Sequence, residues 1–202
     1  MMKKVFILFA TVASLCFGAS APHTHDGFFF SIAMGFGYQN IDFVTYDYDD
    51  DTYNMSGAAT DIDIKIGFSA TNSLAVHLTL AGDTPLDDMN FDGYDYNANM
   101  SLLGLGATYY FPNNFLASAS FGVGQFRFYD DIATFQAKVQ ASPDDYSRSG
   151  LAFQIAGGKE WWISDNWGIG ATASILYGFE TNLADTRESS LSFTVRFTAT
   201  FS

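Results

Sequence analysis

From Gly27 onward the chain alternates apolar and polar residues in segments of roughly a dozen residues. The connections between these segments are alternately long and short. The short ones fall near Thr71-Asn72-Ser73, Pro112-Asn113-Asn114 and Ser164-Asp165-Asn166, and the long ones near 42–58, 84–98, 130–149 and 180–190. A period of two is the signature of a strand, whose successive side chains point to opposite faces. The pattern predicts eight antiparallel strands joined long, short, long, short.

Splitting each segment by parity gives two unlike faces. In the first strand Phe28, Phe30, Ile32, Met34, Phe36 and Tyr38 oppose Phe29, Ser31, Ala33, Gly35, Gly37 and Gln39. In the second, Ile62, Ile64, Ile66 and Phe68 oppose Asp61, Asp63, Lys65, Gly67 and Ser69. The last is the most regular: Leu191, Phe193, Val195, Phe197 and Phe201 oppose Ser192, Thr194, Arg196, Thr198 and Thr200. The alternation of the fifth strand switches phase near Gln125, where Phe126 and Phe128 become the apolar residues, and a β-bulge is expected there.

A secreted eight-stranded barrel would keep its apolar face inside and carry many charges on its wet outer face. Here the second face is mostly Gly, Ala, Ser and Thr, small residues that suit the crowded interior of a narrow barrel. The Phe-, Ile- and Leu-rich face then looks outward, into lipid. Phe28, Phe68, Phe111, Trp161, Trp162, Trp167 and Phe201 lie beside the termini or short turns, where one interfacial aromatic girdle is expected. The expected fold is all-β, an eight-stranded antiparallel up-and-down transmembrane β-barrel with short periplasmic turns and long outer loops. Closure suits lipid, because it leaves no unpaired sheet edge.

The first residues read differently. Lys3 and Lys4 precede an apolar stretch over residues 5–17, followed by Ala19-Ser20-Ala21. These are the n-region, h-region and A-x-A site of a secretory signal peptide. The expected division is a signal peptide over 1–21, a short periplasmic tail over 22–26 and a barrel over 27–202. Cys16 has Leu15 before it, where a lipoprotein signal calls for a small residue. Removing the signal leaves no cysteine, and hence no thiol or disulfide chemistry.

Charge narrows the partners. Without Lys3 and Lys4, seven basic residues face 22 acidic ones, a formal charge of −15. Binding nucleic acid through its phosphates needs clustered Lys and Arg, so no nucleic acid is expected. Sixteen of the 22 acids lie in the four long connections.

The strand number, the alternation of loop lengths, the aromatic bands and a C-terminal alternating strand closing on Phe201 resemble the small eight-stranded outer-membrane β-barrels of the OmpA-barrel and OmpX-like group. The resemblance covers about residues 27–202 and is architectural. It implies residence in the lipid bilayer of the bacterial outer membrane, a monomer, and recognition of the C-terminal strand by the barrel-assembly machinery. The pattern departs from the family at one position: Ser202 follows the terminal aromatic.

Candidate chemistry is sparse. The inward face carries Asp61, Asp63, Lys65, His77, Glu160 and Arg196, expected to form an ion network that fills the lumen, since charges in a dry interior need partners. A polar path for ions or small molecules is the alternative. His77 is the only histidine in the strand pattern, and no G-x-S-x-G motif accompanies it, so no enzyme and no cofactor are expected. His23 and His25 form a short His-containing tract of the kind that binds metals, but an unstructured tail is the expected reading and no metal site is assigned. Asp47, Asp49 and Asp51 match the first positions of a Ca²⁺ loop, whereas Thr52 and Ala58 stand where Gly and Glu are required. Tyr46, Asp47, Asp49, Asp50, Asp51, Asp92 and Asp95 form a Tyr- and Asp-rich loop surface, expected to meet an extracellular partner whose identity the residues do not give.

Overall fold

A computed structural model describes residues 23–45, 51–86, 89–91, 94–130, 147–180 and 188–202. The expected signal segment lies outside the described residues. Eight long strands form the barrel: β1 (Gly27–Thr45), β2 (Asp51–Thr71), β3 (Leu74–Pro85), β4 (Tyr94–Tyr110), β5 (Phe115–Asp130), β6 (Ser147–Trp162), β7 (Trp167–Glu180) and β8 (Ser189–Phe201). Each pairs antiparallel with its chain neighbours, β1 pairs with β8, and β3 pairs with β4 across a connection holding one short extra strand, Met89–Phe91. The sheet therefore closes as an up-and-down barrel.

The short connections fall where the pattern places them. Pro112–Asn114 forms a single 3₁₀ turn in which Asn113 and Asn114 take φ of 65° and 58°. Asparagine tolerates this left-handed region better than most residues. Ile163 N–H donates to Trp167 O at 2.9 Å and closes the turn between β6 and β7.

The long connections are shorter than expected. β1 and β2 stay paired out to Thr45 and Asp51, leaving residues 46–50 as their link, and Met89–Phe91 pairs back on Tyr94–Tyr96. At about 3.3 Å per residue, the 19 residues of β1 reach well beyond an apolar band about 25 Å tall. Polar strand residues can continue pairing outside the membrane, because water satisfies whatever their neighbours do not.

The bulge expected near Gln125 is absent. β4 and β5 keep one register from Tyr96–Asp130 to Tyr110–Leu116, and the described irregularity lies instead between Ser69 and Thr71, beside a short turn. Phe126 simply continues the inward series of Ser118, Ser120, Gly122 and Gly124, and it is fully buried. It packs with Ala81, Met100, Leu102, Ala152 and Leu176, an apolar cluster inside the outer half of the lumen. The outward face is as the alternation requires: Phe36 is 70% exposed, Leu105 73% and Phe197 60%, whereas inward Arg196 and Asp63 are almost fully covered.

Candidate functional site

The lumen collects the buried charges. Asp61, Gly35 and Arg196 lie in one row across β2, β1 and β8. The glycine between the charged residues leaves space for the arginine stem, since a Cβ at Gly35 would approach Arg196 Cγ to 2.8 Å. Arg196 grips both acids of β2: Nη1 donates to Asp63 at 2.8 Å, Nη2 donates to Asp61 at 2.5 Å, and Nε also pairs with Asp61. Lys65 Nζ sits 3.1 Å from Asp63. Two acids and two bases thus meet in a space almost closed to water. Charge-assisted bonds of this kind are strong, and loss of one partner would strand a buried charge.

Glu160 and His77 are held apart from this cluster, nearer the periplasmic end. Thr200 Oγ1 donates to Glu160 at 2.6 Å and lies 3.0 Å from Ser31. His77 hydrogen-bonds to hydroxyls, Thr79 at 2.9 Å and Thr108 at 3.0 Å, which lead on to Ser120 and Ser118. Phe29 stacks on its ring at 5.6 Å. Among the described residues no carboxylate bonds to His77, so the orienting acid of a catalytic triad is not in place. A cavity of about 20 Å³ bordered by Lys65, Tyr110, Glu160 and Arg196 remains, enough for about one water.

The periplasmic mouth differs from the expected free tail. His25 is buried, its Nδ1 2.8 Å from Ser202 Oγ and its ring stacked on Tyr110 at 3.4 Å. Trp162 lies 4.8 Å from His25 and 5.6 Å from His23. Trp162 was expected in the lipid girdle but occupies an inward position of β6 and covers the mouth. Ser202 N–H donates to Asn166 O at 3.1 Å, so the residue beyond the terminal aromatic is the one that anchors the plug. Burial lowers the His25 pKa from 6.5 to about 4, with the Asn114 side chain opposing part of that shift.

The remaining girdle residues, Phe28, Phe68, Phe111, Trp161, Trp167 and Phe201, occupy outward positions or turn edges. Trp167 meets Phe201 edge-on at 5.5 Å. The loop residues fare differently. Tyr46, Asp47, Asp49, Asp50 and Asp92 lie outside the described residues, while Asp51 and Asp95 stand on the backbone of β2 and β4.

One buried lumen acid was missed from sequence, Asp83. Ser192 Oγ donates to Asp83. Asp83 continues the inward parity of Ala75, His77, Thr79 and Ala81, so parity alone carries the signal.

A closed barrel with an apolar exterior and a polar, tightly packed interior defines a small outer-membrane β-barrel. Residues 8–197 match the family model of the outer membrane protein beta-barrel domain, and the chain belongs to that family. It resides in the bacterial outer membrane, in a lipid bilayer. No curated protein matches the sequence. Among solved structures, the outer membrane protein OprG from Pseudomonas aeruginosa is 14% identical with a TM-score of 0.50, covering 88% of this chain and 98% of its own. Neisserial surface protein A is 13% identical with a TM-score of 0.46, covering 83% and 95%. Ail, the attachment invasion locus protein of Yersinia pestis, is 13% identical with a TM-score of 0.43, covering 85% and 98%. At these identities the likeness concerns the fold alone.

Proposed function

We propose that this protein is a sealed outer-membrane scaffold that acts through its acidic, Tyr-rich extracellular loops, in adhesion or recognition of a partner outside the cell. One observation carries the reading: the lumen is filled along its length. An apolar cluster around Met100 and Phe126 occupies the outer half, the Arg196–Asp61–Asp63–Lys65 cluster the middle, and His25, Tyr110 and Phe29 the periplasmic end. Such an interior gives neither a conduit for ions or small molecules nor a place for a lipid-modifying reaction at His77. What remains is the loop surface of residues 46–51, 92 and 95. The same reading takes the barrel as a monomer and assigns β8 as the segment read by the barrel-assembly machinery.

Two measurements test it. The purified barrel in planar bilayers is expected to give no single-channel steps; discrete conductance would overturn the sealed scaffold in favour of a conduit. Replacing residues 46–50 by Gly-Gly is expected to abolish attachment of whole cells to host or abiotic surfaces while heat-modifiable migration of the barrel persists. Unchanged attachment would remove the loops from the role.

A further inference from the structure

Asp83 faces the lumen from β3, where the two nearest cations are engaged by other acids. Arg196 grips Asp61 and Asp63, and Lys65 pairs with Asp63. Three inward carboxyl groups thus meet two cations, and among the described residues neither cation pairs with Asp83. Asp83 and Asp61 are both buried, and they are direct partners in the β2–β3 ladder. Leu86 N–H donates to Ala58 O, so the bonded pairs of this ladder fall on the even residues of β2. Asp61–Asp83 is therefore a non-bonded pair, the kind that brings side chains closest. The two carboxyl groups come within hydrogen-bonding reach of each other.

The other walls supply no further charge. On β8, Ser192 donates its hydroxyl to Asp83 Oδ2. On β1, Gln39 stands opposite Ser192 and donates to Ser190. Met100 of β4 and Leu176 of β7 are apolar. Asp83 Oδ1 meets no donor among the described residues. Two carboxylates that share one buried site do not both ionise, and a buried charge without a partner is neutralised instead. An O–H on Asp83 Oδ1 supplies the missing donor. Asp61 can accept it, because each of its oxygens has two lone pairs and the arginine takes one. A shared proton needs no coordination shell, whereas a metal cation needs several more oxygen ligands. Among the described residues no group of His, Cys, Asp and Glu is arranged to hold a metal.

We propose that Asp83 and Asp61 bind one proton between them at neutral pH, and that this proton fastens β3 to β2 just below Pro85, where their pairing ends. Its loss would set two like charges side by side at the base of the outer connection. Infrared spectra of the purified mature barrel at neutral pH should show the C=O stretch of a protonated carboxyl. The stretch should shift when the aspartates alone are isotope-labelled, which separates it from Glu160, and should be missing in Asp83→Asn. Asparagine keeps the size and offers Asp61 an N–H in place of the acid O–H, and heat-modifiable migration verifies that the variant is folded. The folded barrel keeps a proton that the unfolded chain releases, so stability falls as pH rises. Between about pH 7 and 9, below the usual range of Tyr and Lys, the urea midpoint of the native barrel should drop relative to that of Asp83→Asn. Absence of a protonated-carboxyl stretch that follows aspartate labelling, or midpoints that run parallel over this range, overturns the proposal. So does a tightly bound divalent cation found by elemental analysis and lost in Asp83→Asn, since a metal would then hold the pair in place of the proton.

Discussion

Arg196 shows how much a single residue carries in a narrow lumen. Its guanidinium satisfies Asp61 and Asp63 together, and both acids are almost fully buried. Arg196→Leu would leave two carboxylates with only Lys65 to share, and should destabilise the barrel by about 3–5 kcal/mol, read from urea unfolding in lipid. Lys65→Gln leaves the arginine fork intact and should cost less. His25 gives a prediction of a different kind, because its pKa falls from 6.5 to about 4 on docking. Between those values the undocked segment binds more protons than the docked one, so stability rises with pH across the window. The contribution is complete above about pH 6.5 and disappears as pH falls through about 4. Trp162 fluorescence, which reports the His25 contact, should change over that range and lose the change in His25→Phe.

At the scale of the element, inward Gly178 makes room for a long side chain from across the lumen, whereas inward Gly37, Gly67 and Gly104 lie against the backbone of a neighbouring strand. A Cβ at Gly178 on β7 would run into Met100 Cε and lie 3.4 Å from Phe126 Cζ. Gly178→Val should therefore overpack the outer apolar cluster, costing about 1–3 kcal/mol. Met100→Ala, which empties the space, should recover part of that loss in the double variant, and urea midpoints of the two singles and the double measure the coupling. The same packing explains the missing bulge on β5. Phe126 looks like a change of phase only if the lumen is assumed polar throughout. Once the outer half is apolar, the strand needs no irregularity. β3 teaches the complementary lesson: Asp83 belongs to its inward series, a place that its parity alone predicts.

The whole barrel was legible in outline because period-two alternation between lipid and a tight interior leaves few other solutions. Strand number, the parity of the connections, the outward Phe- and Leu-rich face, the inward position of Asp61, Asp63, Lys65, His77, Glu160 and Arg196, and the family all follow from local order along the chain. A side chain's face depends only on its parity, and parity is a property of sequence. Which inward groups meet is a different matter. Arg196 reaches Asp61 because Gly35 lies between them in register across three strands. His77 and Glu160 were grouped with that network but sit apart in hydroxyl cages. Trp162, expected in lipid, and His25, expected in a loose tail, close the periplasmic mouth together with Ser202. Those pairings join residues far apart in the chain, and strand register, tilt and closure set them. Closure of the sheet is what turned an alternating sequence into a lumen whose side chains meet across it.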